Sequence, residues 1–409
     1  MVAPVPTPIV VVGIGADGWD GLPLASRRAV EQADVVFGSA RQVAGVQEHC
    51  SETRTWPSPL VPNLRPMIDA CTGSHVCVLA SGDPMFHGIG VTLAREFGAD
   101  RLRMYPAPSS VSLACARLGW ALHHTTTVSL VNSPAETVLP ELADGRRILV
   151  LSRGSSTPGE IALVLSANGF GASEMTVLEQ LGGPAERVAR GIAGESTFEG
   201  VDPLNVVALL CVRDPDAARH TRIPGLADSA YTGDGQMTKR EVRALTLSAL
   251  APAPGELLWD IGGGSGTIAI EWMRTDESCR AVTFESSQVR REQIETNARL
   301  LGVPSLVVHG GAPESFAAVS DADAVPDAVF IGGGLTGADM LEACWEAVRT
   351  GGRLVANSVT AESDSLLLTA AAKYGGELRR FQIYRGEPLG AFTTWRPQLP
   401  VTQWSATKR

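Results

Sequence analysis

The stretch LLWDIGGGSGTIAIEW, residues 257–272, limits what this chain can fold into more than any other. An apolar run ends at Asp260, glycines follow at 262, 263, 264 and 266 around Ser265, and a helical pattern begins at Thr267. Glycine adopts positive φ without a Cβ clash, so such a turn is tight and lets backbone approach a ligand closely. The N–H groups that open the helix then face that ligand. The next β-branched run, AVTFE, ends at Glu285, whose carboxylate can accept hydrogen bonds from both hydroxyls of an adenosine ribose. Strand, turn, helix and strand in this order predict a Rossmann-like sheet.

Details of the loop choose the nucleoside. A dinucleotide fingerprint read from Gly262 needs glycine where Thr267 stands, and read from Gly264 it needs glycine where Ala269 stands. No lysine follows, so a phosphate-binding P-loop is excluded. What remains is D-x-G-x-G-x-G from Asp260 to Gly266, the loop pattern of class I methyltransferases. VVHGGAP (307–313) follows the strand position where adenine would pack, and AVFIGGG (328–334) ends a strand beside the substrate. A nicotinamide-dependent oxidoreductase or a non-catalytic nucleoside sensor are the rival readings of the loop alone.

At 409 residues the chain exceeds one ordinary core. Short β-branched runs alternate with helical patterns along nearly all of it, which predicts α/β architecture throughout. In the first half, strands are expected at 8–12, 75–80, 102–105, 126–131, 147–151, 175–178 and 205–212, with helices at 24–33 and 110–117 among them. In the second half, helices are expected at 239–249, 267–273, 288–301, 338–348 and 364–374. Strands are expected there at 256–260, 281–285, 306–309, 327–331 and 353–357, closed by an antiparallel hairpin of 378–384 and 391–395. Residues 213–236 are rich in Pro, Gly, Asp and Ala and read as a linker between a domain of residues 1–212 and one of 237–409.

Charge and cysteine usage narrow the setting. The net charge is −10 and basic residues are scattered, so no nucleic-acid partner is expected. The seven cysteines form no CxxC pair and most sit among apolar neighbours, the usage of a reducing cytoplasm. No run approaches the roughly 18 apolar residues of a membrane span. The seven histidines have no ligand spacing, and no metal is expected.

The first half has its own glycine loop, IVVVGIGADGWDGL, with Gly13, Gly15 and Gly18 after the first strand. Alone it fits a nucleotide loop or a plain turn equally. VLASGDPMFHGIG (78–90) repeats the strand-to-loop design, and YPAPSSVSLACARLGW (105–120) adds a proline-stiffened turn whose serines suit N-capping. Three such loops at the same ends of strands can converge on one crevice.

With those residues in view, VVGIGADG, ASGDPMFHGIG and PAPSSVSLACARLGW resemble the main motifs of the tetrapyrrole (precorrin) methylases, which use the class III methyltransferase fold. The second half, from MTKREVRALTLSAL through FESSQVRREQIETNARLLGV and GGAPESF to PDAVFIGGG, resembles the decarboxylating precorrin methyltransferases. In this order the halves resemble the fused precorrin-6Y C5,15-methyltransferases of cobalamin biosynthesis. The resemblance implies a class III fold of two α/β lobes followed by a class I fold, and one S-adenosyl-L-methionine per domain. It implies methylation of a precorrin at C5 by the first domain, then methylation at C15 and loss of the C12 acetate carboxyl by the second. By analogy it also implies a homo-oligomer. A two-domain methyltransferase for another planar substrate is the nearest alternative.

Carried over by position, the first cofactor site would include Gly82, Asp83, Ser109 and Ser110, with Gly13 and Gly15 lining the substrate trough. The second would include Thr238, Asp260, Gly262, Gly263, Gly264, Ser265, Gly266, Glu285, Gly311 and Ala312. The family usually has Asp where this chain has Gly311, so one contact to adenine is expected to be missing. A methyl sulfonium is already electrophilic, so few obligatory acids or bases are expected. Lys239, Arg240, Arg243 and Arg396 are candidates to grip peripheral carboxylates, because ammonium and guanidinium groups pair with them. Trp395 and Trp404 either stack on the macrocycle or pack in the core.

Overall fold

The computed structural model describes residues 7–409, which fall into two compact units. One holds the described residues up to Ala135 together with Ala143–Ala217; the other holds Glu136–Leu142 with Ala218–Arg409.

The first unit contains two sheets. Strands β1 (Ile9–Ile14), β2 (Val35–Gly38), β3 (Thr53–Thr55), β4 (Val76–Ser81) and β5 (Leu102–Tyr105) are all parallel, in the order β3-β2-β4-β1-β5. Val11, Phe37, Cys77 and Val78 have no exposed surface, as expected of a parallel sheet covered on both faces. The second sheet is formed by β6 (Thr126–Ser129), β7 (Arg147–Leu151), β8 (Glu174–Glu179), β9 (Arg187–Ile192) and β10 (Asn205–Leu210), ordered β6-β7-β10-β8-β9. Only β6 and β7 pair parallel in it. Helix Ser110–Leu118 starts where the serines predict: Ser109 Oγ accepts from the Ser112 N–H at 3.1 Å, and Gly119 closes the other end at φ 65°.

The second unit is a seven-stranded sheet. Its strands are β11 (Leu257–Ile261), β12 (Arg280–Phe284), β13 (Val307–His309), β14 (Ala328–Ile331), β15 (Arg353–Ser358) and β16 (Glu377–Phe381), followed after a ribbon by β19 (Val401–Thr407). Their order is β13-β12-β11-β14-β15-β19-β16, with β19 antiparallel to both neighbours. The ribbon itself is β17 (Tyr384–Leu389) paired with β18 (Phe392–Pro397). Central β11 is buried along its whole length and delivers the glycine turn at its carboxyl end. Here the order of the parallel strands reverses, which leaves a crevice.

The closing hairpin departs from expectation. β16 pairs with Val401–Thr407, and the run at 391–395 belongs to the separate ribbon. The true partner, VTQWSAT, carries threonine, glutamine and serine and so lacks an apolar signature, yet its residues 401–404 are all buried. Residues 225–236, read from composition as the end of a linker, are built into this unit. Leu226 and Tyr231 join its core, and Thr232 bonds to Asn297 through its N–H and Oγ1, at 2.9 Å each. Among the described residues no helix is long and apolar enough to cross a membrane.

Candidate functional site

In the first unit, the carboxyl ends of β1 and β4 meet. The Gly82 N–H donates to Ile14 O at 3.0 Å, and Gly82 holds φ 60°. A Cβ on Gly13 would lie 2.0 Å from Gly82 O, so glycine is required for this approach. A cavity of about 220 Å³ opens there, lined by Gly15, Ser81, Gly82, Ser109, Ser110 and neighbours from the second sheet, among them Asn205. Arg41 also lines it, with Ser81 Oγ at 3.4 Å and no carboxylate within 4.0 Å among the described residues. Exclusion from water lowers the Arg41 pKa, opposed by the charge of Asp202. His87, beside it, holds φ 51°, a strained value for a residue with a side chain.

In the second unit, the turn after β11 forms the floor of a cavity of about 390 Å³. Gly262 holds φ 74°, and a Cβ there would lie 2.7 Å from Gly333 N and Cα. Two glycine turns at neighbouring strand ends therefore come together only because neither has a side chain. Glu285, at the end of β12, accepts from the Gly264 N–H and the Ser287 N–H at 2.9 Å each, one on each oxygen. The Ser286 hydroxyl also reaches Oε1 at 3.5 Å, so Oε2 is the oxygen with a lone pair to spare, and Glu285 lines the cavity with Ser286, Arg290, Gly311 and Ala312. A bare glycine cradle with a carboxylate at its rim fits an adenosine-type methyl donor.

A further cavity of about 370 Å³ adjoins it, and Met237, Thr238 and Gly332 line both. Its walls are mostly apolar, with Val242, Val359, Phe381, Ile383, Leu399 and Val401, and Lys239 is its cation. The segment that carries Gln236, Met237 and Thr238 is fastened from below. Arg243 donates to Thr238 O at 2.7 Å and to Glu271 at 2.6 Å, and Glu271 also accepts from the Gly225 and Leu226 N–H groups and the Tyr231 hydroxyl. Arg290 ties Asp234 to the cavity rim at 2.9 Å.

A precorrin-6Y C(5,15)-methyltransferase [decarboxylating] of Mycobacterium tuberculosis is 47% identical to this chain over 406 residues, covering 98% of this chain and 100% of the relative. This chain belongs to that family. The tetrapyrrole (corrin/porphyrin) methylase family model matches residues 8–196, and the precorrin methyltransferase domain model matches residues 229–408. Shorter relatives exist. A cobalt-precorrin-7 C(5)-methyltransferase of Salmonella typhimurium is 32% identical over 181 residues, 44% of this chain and 88% of the relative. A probable cobalt-precorrin-6B C(15)-methyltransferase (decarboxylating) of Saccharolobus solfataricus is 31% identical over 159 residues, 37% of this chain and 78% of the relative. The family's members are S-adenosylmethionine-dependent methyltransferases, and the α/β fold described above agrees.

Against this precorrin-6Y methyltransferase background, the structure gathers most of the expected positions and separates others. Gly15, Gly82, Ser109 and Ser110 line the first cavity, whereas Gly13 lies beneath it and Asp83 turns its carboxylate to the Met85 N–H. Thr238, Gly262, Gly263, Gly264, Glu285, Gly311 and Ala312 line the second. Ser265 and Gly266 do not line it, and they stand at the end of the glycine turn. Asp260 is sealed under it, where Oδ2 accepts from the Ala269 N–H at 3.2 Å. Burial, with a smaller push from Glu285, raises its pKa to about 7, against the pull of that N–H.

Of the four cations, only Lys239 reaches the second unit's adjoining cavity. Arg240 donates to Gly225 O, and Arg396 pairs with Glu387 at 3.0 Å on the exposed ribbon. Arg243 is fully buried and committed to Glu271, so it cannot grip a substrate carboxylate. Trp404 is likewise a core residue, fully buried against Trp345 and Tyr374, while Trp395 is 72% exposed. Arg41 and Asn357 had no motif to mark them, and each reaches its cavity from an element distant in sequence, which spacing along the chain does not encode. Met237 and Arg290 lie within the quoted motifs, beside Thr238 and five residues after Glu285, but were not singled out.

Proposed function

We propose that each unit takes one S-adenosylmethionine, and that the chain methylates a precorrin of the 6B/6Y type at C5 and C15 while the C12 acetate loses its carboxyl as carbon dioxide. On this reading the first unit serves C5 and the second, with residues 225–236 built into it, serves C15 and the decarboxylation, in a cytoplasmic homo-oligomer. The observation that carries it is the sharing of Met237, Thr238 and Gly332 by a glycine-floored cavity and an apolar one: a donor site opening directly onto an acceptor site.

S-adenosylmethionine supplies an electrophilic methyl group. The chain's own residues bind and orient. Glu285 and the turn of Gly262–Gly264 hold the nucleoside, and Gly82 with the Ser109–Ser110 turn does so in the first unit. Lys239 pairs with peripheral carboxylates of the macrocycle. The apolar walls exclude water and fix the acceptor carbon in line with the donor.

The test uses the full chain with one crevice closed at a time. Gly262→Val should give a product methylated once, with no carbon dioxide, and Gly13→Val should give one methylation with carbon dioxide. Mass spectrometry of the tetrapyrrole reads both. Carbon dioxide from the Gly262→Val chain overturns the division of labour.

A further inference from the structure

Beneath the apolar cavity of the second unit runs a chain of three polar side chains. Asn357 on β15 stands directly opposite Gln403 on β19, and Thr246 of helix Arg240–Leu250 packs over both. Thr246 and Gln403 are at most 1% exposed. Burying hydroxyls and amides costs free energy unless they are bonded, and a wholly apolar set would cost nothing there. The network is even incomplete, because Gln403 Oε1 is buried without a partner. Such an arrangement asks for a function.

Its directions are fixed. The Thr246 hydroxyl donates to Val242 O at 2.8 Å, so Thr246 must accept from its other neighbours. The Asn357 atom 2.8 Å from Thr246 is therefore the amide nitrogen, and the Asn357 oxygen accepts from Gln403 Nε2 at 3.0 Å. Gln403 Nε2 also donates to Thr246 Oγ1, at 3.4 Å, so Thr246 accepts from both amides. Asn357 keeps one N–H, held in a set orientation, and Asn357 lines the cavity.

Resting on the function proposed above, we infer that Asn357 is the residue that grips and orients the acetate carboxylate that departs. In that step the bond between the acetate methylene and its carboxylate carbon breaks, and the electron pair stays on the methylene carbon, conjugated with the macrocycle. Carbon dioxide leaves, and a proton from solvent replaces it. A cation such as Lys239 would stabilise the carboxylate before reaction and slow its loss. A neutral amide N–H turns the carboxylate to align its bond with the ring, while Val359, Phe381 and Val401 keep water from it. Thr246 and Gln403 are positioning residues that act through Asn357.

The experiment compares full-chain variants by the ratio of decarboxylated to undecarboxylated C15-methylated product, read by mass spectrometry. Asn357→Leu should lower that ratio about tenfold, the loss of one hydrogen bond to a charged acceptor. Thr246→Val, which frees the amide to turn, should lower it as well, and Thr246→Ser, which keeps the hydroxyl, should restore it. Binding of S-adenosylhomocysteine, followed by calorimetry, reports whether each variant is folded. An Asn357→Leu chain with the wild-type ratio overturns the inference alone. A wild-type chain that methylates no precorrin overturns the function beneath it too.

Discussion

Arg243 Nε lies 2.6 Å from Glu271 Oε1, and both side chains are sealed from solvent. The pair joins helix Arg240–Leu250 to helix Thr267–Thr275, and its remaining hydrogen bonds all go to the segment 225–239. Removing one member leaves the other charge buried and unpaired, at a cost of about 3–5 kcal/mol. Arg243→Leu should therefore lower the denaturant midpoint of the second unit by that equivalent. It should also loosen Met237 and Thr238, and with them cofactor binding. A variant with wild-type stability would overturn this reading of the pair.

Each Glu285 oxygen is held by one backbone N–H, and Oε1 also takes the Ser286 hydroxyl at 3.5 Å, which leaves Oε2 with a lone pair for a ligand. Hydrogen bonds to a charged acceptor contribute about 1.5–3 kcal/mol, so Glu285→Ala should weaken S-adenosylhomocysteine binding at one site by about 10- to 100-fold. On the proposed reading of one cofactor per unit, isothermal calorimetry of the whole chain should then show one site weakened and the other unchanged. Uniform weakening of both would count against separate crevices.

Local signals carried the second crevice further than the first. The turn after β11 was legible because Asp260, four glycines and Glu285 lie within one strand–helix–strand unit, where sequence distance and spatial distance nearly coincide. Gly13, Gly82 and Ser109 come from three separate strand ends, so their convergence depends on sheet order, which residue patterns only suggest. Arg243 misled for a different reason. Its neighbours Arg240 and Lys239 are exposed or half-exposed, and only the packing of helix Thr267–Thr275 beneath reveals that Glu271 is waiting for it. Gln403 and Trp404 were hidden because β19 buries polar side chains, against the alternation that marks a strand.

Asp260 makes stability depend on pH in an unusual direction for a carboxylate. Its pKa rises from 3.8 to about 7 on folding, chiefly through burial. A raised pKa means that the folded chain holds the proton more tightly, so the stabilisation is complete below the unfolded value and is lost as pH rises through the folded one. Asp260→Asn carries no such charge. Between about pH 4 and 7 the wild type should lose stability relative to this variant, and the gap in melting temperature should level off above that range. Parallel melting curves across the range would mean that Asp260 stays ionised.

Gly311 offers a gain rather than a loss. It lines the second unit's glycine-floored cavity at a position where the family resemblance implies Asp, and a Cβ built there would lie 3.3 Å from the Cβ of Ser286. That is tight by a few tenths of an ångström, and Ser286 stands at a strand end where it can give. Gly311→Asp should place a carboxylate at the cavity wall, able to accept from the exocyclic amine of adenine, and tighten S-adenosylhomocysteine binding at that site by about tenfold, the equivalent of one good hydrogen bond. Gly311→Ala, which adds the crowding without the acceptor, separates the two effects: it should bind no more tightly than the wild type. If Asp and Ala behave alike, the site has already replaced that contact with backbone groups, and Gly311 costs the chain nothing.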